Sequence, residues 1–242
     1  TKNYVTGRWV LTVKRKKDGS FDKCKARWVL RGFQDRQKDD QQVDSPTGTR
    51  LGFRALCQVA VGRNWPLTHM DLKTAFLQGE QYDASRQVVC QLPPEAGHPP
   101  HIGALLKKPA YGMNDAPRRW WNRLDSMLRS DGWTPVRADR CLYVKYGDST
   151  SVRKSYYKDK TTGPQARSGE DTHPFDSYTG ARAAPEEVLD RAVDYLMDPV
   201  TGSPSKGRKV VGALICHVDD LLMTADTATA GNSISAIRKT FE

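Results

Sequence analysis

Two adjacent aspartates, Asp219 and Asp220, lie between apolar runs in "VVGALICHVDDLLMTA", residues 210 to 225. Each run is rich in Val, Ile and Leu and too short for a typical helix, so the segment reads as two antiparallel strands with a tight turn at Val218 to Asp220. Both carboxylates then stand at the exposed tip of a buried hairpin. Like charges held there lose hydration and repel, at a cost of several kcal/mol per ion unless a cation or dense hydrogen bonding compensates. Magnesium suits the position: it accepts one or two protein carboxylates, keeps waters and takes its other ligands from substrate phosphates. A third carboxylate ending a neighbouring strand would complete a site for two metals about 4 Å apart, the arrangement used in phosphoryl transfer. Asp71, at the end of "PLTHMD", is the candidate. The Asp39-Asp40 pair has no such frame and reads as a turn.

The elements that must position these residues can be traced from periodicity. In "GRWVLTVKRKKDGSFDKCKARWVLRGF", strand-like runs Trp9 to Val13 and Ala26 to Leu30 flank a turn containing Asp18-Gly19, a dipeptide that tolerates positive φ. Period-two alternation puts Lys25, Arg27, Val29 and Arg31 on one side of the second strand and Trp28 and Leu30 on the other. The basic side is either a solvated face or an anion-binding one. Leu51, Ala55, Leu56, Val59 and Ala60 recur at helical spacing, with Gly62 as a stop. "PLTHMDLKTAFLQGE" reads as a short strand ending near Asp71, then a turn or short helix. After a strand-like "ALLKK" and a turn from Tyr111 to Pro117, Trp120, Trp121, Leu124, Met127 and Leu128 mark an amphipathic helix closed by Gly132. "CLYVKY" is a further strand. Residues 147 to 208 change texture: a polar, Gly- and Ser-rich insertion without period, expected to be partly disordered, with a helix near 185–197. The apolar stripe of that helix either packs on the body or meets a partner.

The 242 residues suffice for one composite globular unit with its own core. Net charge is +10, and residues 1 to 70 hold 15 basic and 6 acidic residues, a local +9. A basic half of this kind suits a polyanionic partner, nucleic acid before membrane, or else only a soluble surface. Five scattered cysteines, Cys24, Cys57, Cys90, Cys141 and Cys216, suit free thiols in a reducing compartment. No CxxC spacing suggests zinc; Cys90 with His98 and His101 is the nearest alternative, against a plain proline-rich loop. No apolar run reaches the roughly 18 residues of a membrane span, and no signal peptide opens the chain. The expectation is an intracellular protein that makes no membrane contact.

Several motifs in series carry a resemblance. "KARWVLRGF", "SPTGTRLGFRALCQVAVGRNWPLTHMDLKTAFLQGE", "LLKKPAYGMNDAPRRWW" and "HVDDLL" stand in the order, and near the spacing, of the reverse transcriptase of copia-type long-terminal-repeat retrotransposons. The chain resembles that family over about residues 4 to 146 and 209 to 242. The resemblance implies an α+β fold, the fingers and palm of a right-hand polymerase, with an antiparallel palm sheet packed on helices. It divides the chain into fingers (1–63), palm with the first carboxylate motif (64–90), a fingers/palm connection (91–117), a palm helix and strand (118–146), the insertion (147–208), and a palm hairpin and helix (209–242) that stop before a thumb. Asp71, Asp219 and Asp220 match the catalytic aspartates and would hold two magnesium ions, with manganese as a substitute. Backbone amides at Thr74 and Ala75 would approach the triphosphate, and Phe76 would close the pocket against a ribose 2′-hydroxyl, unless it is ordinary core. Tyr111 and Gly112 match the motif under the incoming base and template. Lys25, Arg27 and Arg31 match the basic fingers strand that faces the triphosphate and template overhang. Arg118 and Arg119 are either template-phosphate contacts or exposed helix charges. His217, a nucleic-acid-binding candidate, stands where the family usually has Tyr, a departure that bears on primer placement.

The function so implied is RNA-directed DNA polymerisation: nucleotidyl transfer from a deoxynucleoside triphosphate to a primer 3′ end on an RNA or DNA template. Protease, integrase and ribonuclease H segments of a Pol polyprotein would be partners, in a cytoplasmic virus-like particle or the nucleus. The rival is a decayed or incomplete fragment that only binds nucleic acid through its basic fingers. A two-metal nuclease on the same carboxylates would leave Phe76 and the Tyr111 to Pro117 motif without a purpose.

Overall fold

The turn at Asp18-Gly19 forms as its residue types require. Gly19 takes φ 85°, and Asp18 Oδ1 accepts from the backbone N–H and the hydroxyl of Ser20 at 2.9 and 2.7 Å. The turn joins strands β2 (Gly7–Arg15) and β3 (Phe21–Leu30), each longer than its apolar run suggests. This is a computed structural model, and it describes residues 3–99, 101–148 and 208–241. The insertion and its expected helix near 185–197 lie outside the described residues, apart from the strand ends at 147–148 and 208.

The chain divides into two compact units: residues 1–46, 72–127 and 240–242, and residues 47–71 and 128–239. The first unit holds the β2–β3 ribbon and a three-stranded sheet, in which β5 (Val89–Gln91) lies between β1 (Tyr4–Val5) and β6 (Gly103–Leu105). β1 and β5 run parallel; among the described strands every other pairing is antiparallel. Its core gathers Val5, Leu30, Val88, Cys90, Met113 and Ala116, with Trp28 and Phe76 partly buried against it. Burial pushes the Cys90 thiol up, and His98 and His101 are exposed. Helix α2 (Ala116–Ser130) carries Pro117 in its first turn, where a missing N–H costs nothing. Trp120, Trp121, Leu124, Met127 and Leu128 are all buried, as their spacing predicts.

The second unit is built on a five-stranded antiparallel sheet in the order β4-β10-β9-β8-β7. Its strands are β4 (Leu67–Asp71), β7 (Trp133–Pro135), β8 (Leu142–Asp148), β9 (Arg208–His217) and β10 (Asp220–Ala225). Helix α1 (Arg50–Arg63) lays Leu56 and Val59 on Leu142, Val144, Ala213 and Ile215. It runs one residue past Gly62 and ends at Asn64, whose φ of 52° supplies the left-handed cap. At its start Thr49 accepts from the Gly52 N–H and donates its hydroxyl to Asp139, a carboxylate that also accepts from the Cys141 N–H. Helix α3 (Thr227–Phe241) follows β10.

The class is therefore mixed helix and largely antiparallel sheet. Helix α1 lies with the five-stranded sheet, because its buried face packs on β8 and β9.

Candidate functional site

Strand register brings Asp71 and Asp220 side by side and leaves Asp219 in the adjoining turn. In the β4–β10 pairing Asp220 lies directly opposite Asp71, and in β9–β10 it lies opposite His217. The turn is Val218-Asp219, one residue shorter than expected, and Asp220 already belongs to β10. Two-residue hairpins favour glycine or asparagine where φ is positive. Here Val218 sits at φ 59°, a conformation that costs an ordinary L-residue roughly 1–2 kcal/mol. The sequence thus accepts strain to hold Asp219 at the tip, as backbones near functional groups often do.

Asp71, Asp219 and Asp220 are all exposed. Like charges directly opposite on paired strands are destabilising, and one relief is present: His69 Nε2 lies 2.9 Å from Asp220 Oδ1. His69 and Asp71 alternate onto one face of β4, and Asp220 shares that face across the pairing. Neither Asp71 nor Asp219 forms an ion pair with another described residue. Among the described residues no three His, Cys, Asp or Glu side chains stand gathered as a ready set of metal ligands. As donors, however, three carboxylates at one exposed sheet end fit a hard divalent ion that keeps waters and accepts substrate oxygens.

The nucleotide-binding candidates fall in the first unit, and several meet there. Phe76 stands edge-on to Tyr111 with ring centroids 5.8 Å apart, and the Arg27 guanidinium lies 5.8 Å from the Tyr111 centroid. Lys25 shares the Arg27 face of β3 and is half-buried. Gly112 takes φ 90°, and its carbonyl accepts from the Gly32 N–H while that of Tyr111 accepts from the Leu30 N–H. This stitches the Tyr111-Gly112 turn to the end of β3. Thr74 is exposed at φ 53° and precedes a short 3-10 turn, Ala75–Gln78, in which Ala75 is buried. Like Val218, Thr74 is a β-branched residue held in the left-handed region.

The nucleic-acid candidates differ in how free they are. Arg31 is exposed and donates to the Thr6 hydroxyl at 3.1 Å, and His217 is exposed at the end of β9. Arg118 is engaged within the protein: it binds Asp44 and Gln42 and lies over the Trp121 ring. Arg119 binds Asp115, Gln41 and the Gln81 carbonyl and lies over Tyr82.

Two features escaped sequence reasoning. His69 could have been flagged by its place two residues before Asp71, but its partner is 151 residues away. The other is a buried charge cluster under the Tyr111 to Pro117 turn. Arg86 reaches Asp35 at 2.7 Å and Asp115 at 3.2 Å, with all three side chains almost fully buried. Burial alone would raise the Asp35 carboxyl, but hydrogen bonds from Asn3, the Gln37 N–H and Arg86 outweigh it and hold it below the usual carboxylate range. Burial beside Asp115 pushes the Tyr82 phenol well up. No local pattern distinguishes these acids from turn residues.

Comparison with known proteins adds an independent line. The family described as reverse transcriptase (RNA-dependent DNA polymerase) matches residues 1–162. The chain is 34% identical over 141 residues to the retrovirus-related Pol polyprotein from transposon RE2 of Arabidopsis thaliana, covering 57% of this chain and 9% of that one. It is 33% identical over 156 residues to the corresponding polyprotein from transposon RE1 of the same plant, covering 63% and 10%. The Pol polyprotein from transposon TNT 1-94 of Nicotiana tabacum is 29% identical over 141 residues, covering 57% and 10%. The chain thus spans about a tenth of the length of these relatives. No solved structure matches it.

Proposed function

The chain belongs to the reverse transcriptase (RNA-dependent DNA polymerase) family, in its copia-type retrotransposon branch, and on that premise we propose that it carries the fingers and palm of an RNA-directed DNA polymerase. The primer 3′-oxygen attacks the α-phosphorus of a deoxynucleoside triphosphate, a phosphodiester bond forms, and pyrophosphate leaves. Asp71, Asp219 and Asp220 would hold two magnesium ions, or manganese in their place. Bound there, such ions lower the pKa of the 3′-hydroxyl and neutralise charge on the triphosphate and the leaving group.

The remaining roles belong to the chain's own groups. Lys25 and Arg27 attract the triphosphate, and the Thr74 and Ala75 backbone amides approach it. Phe76 walls off the ribose 2′ position, with Tyr111 and Gly112 beneath the base and template. Arg31 and His217 contact the nucleic acid backbone. Arg118 and Arg119 reach template phosphates only by giving up their protein partners, so their first task is to hold the segment at 41–44 against α2. Template, primer and the other Pol segments are the partners, and the setting is a cytoplasmic particle or the nucleus. Among the described residues no helix is long and apolar enough to cross a membrane.

The observation that carries the reading is the register pair Asp71–Asp220 with Asp219 in the adjoining turn. Asp71 lies within the residues that the family matches, whereas Asp219 and Asp220 lie beyond residue 162, where that match stops. Primer extension with this chain, and with a longer reading frame containing it, tests the reading. Asp219→Asn is expected to cut incorporation at least ~100-fold, the scale of losing a transition-state charge partner. Equal incorporation by variant and parent removes the assignment. The exposed basic ribbon favours a second reading, a module that binds nucleic acid without chemistry. Salt-sensitive RNA binding with no incorporation under magnesium or manganese would establish that one.

A further inference from the structure

We propose that His69 is a positioning residue for the metal-binding carboxylates: it clamps one oxygen of Asp220 and so presents the other, together with Asp71 and Asp219, to a divalent cation. This rests on the reading that those three aspartates hold the metal.

Asp220 faces Asp71 directly across the β4–β10 pairing, and His69 sits diagonally, opposite Leu222, on the same face. His69 Nε2 lies 2.9 Å from Asp220 Oδ1, close enough for an N–H donor. A carboxylate accepts at two oxygens, so this bond leaves Oδ2 free. Without the clamp, the Asp220 side chain would rotate away from Asp71 to relieve like-charge repulsion, and a cation would have to pull it back at the cost of ordering it. Outer-shell donors of this kind orient the ligand in advance and typically account for 10–100-fold in metal affinity. The side chains of His69 and Asp220 are 61% and 55% exposed, and a polar contact that open to water contributes little to folding. The function of the contact is therefore local order at the sheet end.

The test is manganese binding to the whole chain without nucleotide or primer, followed by the free-ion electron paramagnetic resonance signal, alongside thermal melts. His69→Ala is expected to weaken manganese binding at least ~10-fold with an unchanged melting temperature. His69→Gln, whose amide N–H can donate to the same oxygen, is expected to recover most of that affinity. Parent-like binding by His69→Ala overturns the proposal, as does His69→Gln binding no better than His69→Ala, or a melting temperature that falls in step with affinity. Asp71→Asn and Asp220→Asn separate the two levels. If both bind manganese like the parent, the carboxylate reading fails; if both lose binding while His69→Ala does not, only the role of His69 falls.

Discussion

At the scale of single residues, Phe76 shows how core and pocket readings can both hold. It is half-buried against the first unit's core and edge-on to Tyr111, so the ring packs on the core and still leaves part of itself open, as the proposed pocket role requires. Phe76→Ala is expected to raise ribonucleotide incorporation relative to deoxyribonucleotide, read as the ratio of extension rates with each. Its stability cost should be about 1–2 kcal/mol in a denaturant melt, below the 3–5 of a fully buried phenylalanine. A stability loss with unchanged sugar discrimination would make Phe76 core alone. The aspartates were legible in the sequence because a charge that interrupts an apolar strand run is anomalous wherever it occurs. His69 was not, because its contact is a product of register between β4 and β10. Arg118 and Arg119 read equally as free cations or template contacts, since nothing local announces that Trp121 and Tyr82 lie beneath them.

At the scale of elements, periodicity located the β2–β3 ribbon, α1, α2 and the β9–β10 hairpin, because each has enough residues for a period of two or 3.6 to show. Strand β1 has two residues, too few for any period, so its parallel pairing with β5 emerges only in the fold. The Tyr111 to Pro117 turn was legible as a turn, but its attachment to β3 was not. That attachment depends on Gly112. A Cβ there would fall on the Leu30 carbonyl oxygen and within 2.7 Å of Val29 Cγ1, on a backbone at φ 90°. Neither the backbone of β3 nor the turn can yield without breaking the Leu30 to Tyr111 and Gly32 to Gly112 hydrogen bonds. Gly112→Ala is accordingly expected to destabilise the protein by at least about 2 kcal/mol, measured by urea unfolding. Gly19→Ala also meets positive φ but open space, and should cost about 1 kcal/mol. Equal losses at the two sites would mean that backbone strain, and not close approach to β3, sets the requirement for glycine at 112.

At the scale of the whole molecule, the two-unit division was hidden because its segments interleave along the chain, whereas the distribution of charge was open to inspection. The β2–β3 register turns that distribution into a surface. Arg8, Lys14, Lys23, Lys25 and Arg27 share one face, with Lys14 directly opposite Lys23, while Trp9, Leu11, Val13, Cys24, Ala26 and Trp28 share the other. Facing lysines on paired strands are mutually destabilising, so the ribbon is costly as a free surface and suited to a polyanion. Binding by phosphate contact releases counterions, which makes the logarithm of affinity fall linearly with the logarithm of salt at about 0.7 per contact for single strands. Replacing Lys14, Lys23, Lys25 and Arg27 together by Gln should therefore reduce that slope by about 3 for a single-stranded RNA, measured by fluorescence anisotropy across a potassium chloride series. Asp71→Ala should leave it unchanged, because the carboxylates act on the reacting phosphates and not on the strand's backbone charge. If the fourfold variant kept the parent slope, the ribbon's charge would face only solvent, and the polyanion would have to be held elsewhere on the chain.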